Sequence, residues 1–113
     1  MTDVKAHLRF LSVSAQKVRL VLDLVRGRNA NEALEMLRFV PSHAAEPVLK
    51  LLKSAVANAE ENFGVSRDDL FIATIFADEA PTRKWRRFGA RGRFKPVLRR
   101  SSHVTIVLRE RGA

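Results

Sequence analysis

Glu79-Ala-Pro-Thr-Arg-Lys-Trp-Arg-Arg-Phe-Gly-Ala-Arg-Gly-Arg-Phe-Lys-Pro-Val-Leu-Arg-Arg-Ser-Ser102 separates two stretches that carry the pattern of β-strands. Before it, Leu70 to Ala77 is a nearly continuous apolar run with Phe71, Ile72, Ile75 and Phe76, which predicts a buried strand. After it, His103 to Arg109 alternates, with Val104, Ile106 and Leu108 on one side and His103, Thr105 and Arg109 on the other. Strands so placed are best paired antiparallel, which makes 79–102 a hairpin. Most hairpin loops run about two to five residues, and structureless connections beyond about 12–15 are functional or disordered. Nine Lys and Arg lie between Arg83 and Arg100 with no acid among them. Such density repels itself and cannot fold onto a core. Continued outward as a ribbon, each arm of about ten residues projects roughly 30 Å. A lone two-stranded ribbon is marginal in water. It needs a partner, and a polyanionic one.

The charge of the whole chain sharpens that reading. Its 113 residues hold 21 Lys and Arg against 12 Asp and Glu, a net charge of +9. Residues 1–79 carry 10 basic against 11 acidic side chains, whereas 80–113 carry 11 basic against Glu110 alone. A near-neutral body therefore bears one cationic segment. Arg outnumbers Lys by seven to two within it, which favours bidentate forks onto phosphate over simple neutralisation. Trp85, Phe88 and Phe94 are interleaved with the cations and offer faces to unstacked bases. Gly89 and Gly92 allow a tight bend around Ala90-Arg91. The RNA-contacting residues expected here are Arg83, Lys84, Trp85, Arg86, Arg87, Arg91, Arg93, Lys95, Arg99 and Arg100, with His103 bonding backbone or phosphate at the following strand. A blander reading makes the run a solvated tail, but a tail need not be tethered at both ends. Trp85 also reads as a core anchor, and the glycines as ordinary turn residues.

The rest of the chain supplies the body. Val4, Ala6, Leu8 and Phe10 alternate with Lys5, His7 and Arg9, a half-buried strand. Ser14 suits an N-cap, with Val18, Val21, Leu22 and Val25 as the buried stripe of a helix that Gly27 closes. Asn29 and Glu32 resemble a capping box before a short helix burying Ala33, Leu34 and Leu37 through about Phe39. Pro41 and Ser42 precede a third helix striped by Val48, Leu51, Leu52, Ala55 and Ala59, which Gly64 ends. Pro47 implies a start near Glu46 or a kink. The order βαααββ predicts an α+β fold. Three helices pack on a small antiparallel three-stranded sheet, with a long protruding basic β-hairpin. One domain is expected over 1–113, its body 1–78 and 103–113 and its hairpin 79–102.

Several functions lack residues to perform them. Cysteine is absent and His7, His43 and His103 are far apart, so no disulfide, metal or cofactor site is expected. Ser12 and Ser14 read as cap and turn residues rather than nucleophiles, and Asp68-Asp69 and Asp78-Glu79 as polar strand ends; no catalytic residue is expected. Gly89-Ala-Arg-Gly92 lacks the phosphate-loop pattern. No apolar run approaches a membrane span, and Met1 to Ser12 lacks a signal's apolar core, so a cytoplasmic address is expected, or an organelle matrix after removal of a transit peptide.

Four ordered segments resemble one family. Ser14-Ala-Gln-Lys-Val-Arg-Leu-Val21, with Asp23 and Arg26-Gly27-Arg28, is similar to the first-helix signature of large ribosomal subunit protein twenty-two, bacterial type. Ser54-Ala-Val-Ala-Asn-Ala59 resembles its third helix. Ala90-Arg91-Gly92-Arg93 and Arg99-Arg100-Ser-Ser-His103-Val-Thr-Ile-Val-Leu108 resemble its hairpin and closing strand. The resemblance implies a non-catalytic ribosomal protein that binds large-subunit rRNA during assembly. It further implies that the hairpin lines the nascent-peptide exit tunnel near large-subunit protein four. Gly89, Ala90, Arg91, Gly92 and Arg93 would form the tunnel tip past which the nascent peptide moves, and Lys17 and Arg19 would contact rRNA from the first helix. Ala15 and Gln16 replace the family's usual Pro and Arg, Trp85 a basic residue, and Phe88-Gly89 a Pro-basic pair. A free-standing regulator or architectural nucleic-acid-binding module is the rival reading, separable by whether the chain travels with ribosomes.

Overall fold

Alternation of small-to-medium apolar residues with polar ones in the last strand sets the centre of the sheet. The computed structural model describes residues 3–81, 83–88 and 94–111, with 83–88 and 94–99 described by their backbone pairing. In chain order the elements are β1 (Asp3–Leu11), α1 (Ala15–Val25), α2 (Ala30–Arg38), α3 (Ala45–Phe63), β2 (Leu70–Glu79), β3 (Arg83–Phe88), β4 (Phe94–Arg99) and β5 (Ser102–Glu110). β5 lies between β1 and β2, antiparallel to both, and β3 pairs with β4 as a separate two-stranded ladder. The fold is α+β, with three helices on one face of a three-stranded sheet. Val104, Ile106 and Leu108 of β5 meet Val18 and Leu22 of α1 and Val48, Leu52 and Val56 of α3 in one core.

Two bulges correct the strand readings. β2 is an edge strand buried on one face, not a strand buried on both. Between Ile72 and Thr74 the pairing with β5 slips by a residue, so Leu70 and Ile72 before the slip and Ile75 and Ala77 after it all face the core. Phe71 is thereby only half-buried and Phe76 is 39% exposed. In β1 a second slip between Leu8 and Leu11 turns Phe10 out of the apolar row. Phe10 has φ 55° and is 62% exposed, while Leu11 takes the buried place.

Helix ends also depart from their side-chain readings. Ser14 does stand at the start of α1, but its hydroxyl makes no capping bond. Asn29 likewise caps nothing, and Glu32 accepts from Arg28 at 2.7 Å instead of reaching back. Arg28 outcompetes the backbone amide because its charge strengthens the bond. Gly27 is left-handed at φ +79°, yet α1 has already ended at Arg26, and the Gly27 N–H donates to Ile72 O at 3.1 Å. α3 begins at Ala45, so Pro47 falls in the first turn, where its missing N–H leaves no gap. Gly64 closes α3 at φ +64° with its N–H on Ala59 O. A single 3₁₀ turn, Arg67–Asp69, precedes β2 where polar strand-end residues were expected.

α1 and its exit loop cover the outer edge of β2. Arg19 Nε and Nη2 donate to Ala77 O at 3.2 and 2.8 Å, and Arg26 Nη2 donates to Ile75 O at 2.9 Å. Ile72 N–H donates to Arg28 O at 2.9 Å. An edge strand is thus denied to outside strands. The radius of gyration, 17.3 Å, exceeds the roughly 13 Å expected of a compact chain this long, and the longest extent is 66 Å.

Candidate nucleic-acid interface

The strands of the body run directly into the ribbon. β2 and β5 pair as far as Glu79 with Ser102, and Ala80 N–H donates to Ser101 O at 3.0 Å. Pairing resumes from Arg83 with Arg99 and extends to Phe88 with Phe94. The arm leaving β2 carries one residue more than the arm returning to β5, as the partner numbers require. Seven of the expected contact residues, Arg83, Lys84, Trp85, Arg86, Arg87, Lys95 and Arg99, therefore stand on paired strands. The tip expected at Gly89, Ala90, Arg91, Gly92 and Arg93 lies outside the described residues.

At the root a groove of about 1770 Å³ opens between the start of α1, the loop from α2 to α3, and the first residues of both hairpin arms. Lys17 and Arg100, widely separated in sequence, both line it. Arg38 and His43 join them, facing Glu46 and Glu79. Neither Arg38 nor His43 stood out in the sequence, since a basic residue in a helix's last turn and a loop histidine are both commonplace. The first turn of α1 faces this groove with no acidic residue in it and no side-chain cap. Its amide end is electropositive.

Arg19 and His103 are not gathered there. The Arg19 guanidinium is spent largely on Ala77 O, on the outer edge of β2. His103 accepts from Phe10 N–H through Nδ1 at 3.0 Å, and its ring meets the Phe10 ring edge-on at 4.7 Å. His103 therefore bonds backbone, one of its two expected uses. His7 engages Thr105 Oγ1 at 3.2 Å. Among the described residues no cluster of three His, Asp or Glu side chains could hold a metal ion, and no helix is long and apolar enough to cross a membrane.

Comparison with known proteins agrees with this layout. The family of ribosomal protein L22p/L17e matches residues 6–109. The large ribosomal subunit protein uL22 of Clostridium novyi (strain NT) is 47% identical over 109 residues, covering 96% of this chain and 98% of that one. Its counterparts in Thermoanaerobacter sp. (strain X514) and Thermoanaerobacter pseudethanolicus (strain ATCC 33223 / 39E) are each 48% identical over the same shares. A match along nearly the whole chain, on a fold that gathers its cations at one ribbon and its root, makes this chain a member of the ribosomal protein L22p/L17e family.

Proposed function

We propose that the chain is a structural, non-catalytic constituent of the large ribosomal subunit that binds rRNA through its hairpin and the groove at its root. The observation that carries this reading is the concentration of charge. Nine cations stand between Arg83 and Arg100, and without them the chain holds 12 basic against 12 acidic residues. Pairing sets Arg83 opposite Arg99 and Arg87 opposite Lys95. Like charges at opposed ladder positions disfavour an isolated ribbon, and a phosphate wall removes that penalty. Lys17 and Arg100 extend the cationic track into the root groove, while Arg19 holds α1 to β2 and offers RNA only what its guanidinium has left.

In this reading 1–113 is one domain, a neutral body over 1–78 and 103–113 that fixes the root of the hairpin 79–102. Gly89 to Arg93 lie at the exit-tunnel wall near large-subunit protein four, in passing contact with the nascent peptide, in cytoplasmic ribosomes. The hairpin is ordered against rRNA during subunit assembly. Sedimentation of a cell lysate through a sucrose gradient tests the assignment. The chain is expected in the large-subunit and ribosome fractions after a mild salt wash. Recovery at the top of the gradient, released by moderate salt, would instead mark a free-standing nucleic-acid-binding module.

A further inference from the structure

The sheet has a second face, and the helices leave it bare. Residues alternating with the buried ones on β1, β5 and β2 point there: Lys5, His7 and Arg9; His103, Thr105 and Val107; Phe71 and Phe76. Rings recur across it. The pairing aligns Phe76, Thr105 and His7 in one row, and the next row holds His103 with Phe10 against it. Adjacent rows are about 7 Å apart along the strands, within reach of consecutive nucleotides in an extended strand. At the far end the Arg111 guanidinium lies over the Phe71 ring at 4.7 Å.

Charge on this face favours an anion. Arg109 is held by Asp3 at 2.8 Å, but among the described residues no carboxylate pairs with Lys5, Arg9 or Arg111. Asp78 is the counterweight. Phe10 adds a further sign: a bulky side chain at φ 55° is strained, and here the strain presents a ring that is 62% exposed. Exposed rings on a face that also carries Lys5, Arg9 and Arg111 suit unstacked bases on a phosphate chain, whereas an apolar protein surface docked there would have to bury those cations.

We propose that this open sheet face is a second RNA-contacting surface, which takes unpaired bases by stacking on Phe10 and Phe76 while the hairpin grips phosphates. The inference rests on the RNA-binding reading above and gives it a division of labour. β2 and β5 lead from this face straight into the hairpin arms, so one RNA segment can occupy both.

Fluorescence anisotropy on the full chain tests it, using a short mixed-sequence single-stranded RNA and the same strand annealed to its complement. The paired change Phe10→Gly and Phe76→Ala is expected to weaken single-strand binding about tenfold or more and leave duplex binding unchanged. Tyrosine at both positions is expected to restore it. Equal weakening of both RNAs, or none, with an unchanged melting curve, overturns the proposal. Photocrosslinking the unaltered chain to 5-bromouridine-substituted strand needs no variant: attachment at Phe10, Phe71 or Phe76 supports it, and attachment confined to 83–100 overturns it. Alanine at Arg83, Lys84, Arg86 and Arg87 probes the parent reading separately, because that change should weaken both RNAs. An intact chain that binds neither RNA at low salt sinks both readings.

Discussion

Arg19 shows how a side chain that sequence offers as a ligand contact can also hold the fold together. An exposed arginine on a helix beside Lys17 reads as a phosphate contact, and sequence offers no sign of a carbonyl waiting across the fold. Its two bonds to Ala77 O, 58 residues away, tie α1 to the strand that becomes the hairpin. Arg19→Met is expected to lower the stability of the free protein by about 1–3 kcal/mol, because a charge-assisted bond is lost and an edge carbonyl stripped. Thermal melting without RNA checks this; an unchanged melting temperature would return Arg19 to a purely RNA-facing role. At the other end of the sheet, the hydrogen bond from Arg109 holds the Asp3 carboxyl below the usual carboxylate range. A depressed carboxyl adds stability that is full above its unfolded value and lost as pH falls through the folded one. The melting temperatures of the native chain and Asp3→Asn should therefore converge on acidification, and a gap independent of pH would contradict the pairing.

Elements were legible where their pattern kept one phase. β5, with its clean alternation, and α3, with its long stripe, stand as read, and so does the antiparallel partnership of β5 with β2. The misreadings of Phe10 and of β2 share a cause. A bulge shifts the phase by one residue, and a run such as Leu70-Phe-Ile-Ala-Thr-Ile-Phe-Ala77 hides the shift because most of its positions are apolar. Caps were located better than they were explained, since neither Ser14 nor Asn29 makes the side-chain bond expected of it. Gly64 is the cap that behaves as its type requires. Gly64→Ala meets no atom within 4 Å but keeps φ +64°, so it should cost about 1 kcal/mol through conformation alone. A chemical denaturation midpoint that does not move would show that α3 ends by other means.

For the molecule as a whole, sequence carried the division of charge and the fold class, whereas the groove joining Lys17, Arg38, His43 and Arg100 depends on tertiary placement and had no local signal. The division makes a stability prediction. The core draws on β1, β2, β5 and the three helices, so replacing 83–100 by a short turn should leave the melting temperature of the body near its original value. Collapse of the helical signal would mean that the ribbon helps build the core. The division also sets how binding responds to salt, because each phosphate neutralised releases counterions. The most direct test titrates a large-subunit rRNA fragment with the intact and shortened chains across a range of salt concentrations. For the intact chain the expected slope of log affinity against log salt is roughly −4 to −8, with most of that slope gone once 83–100 is removed. Equal slopes and equal affinities for the two chains would contradict it.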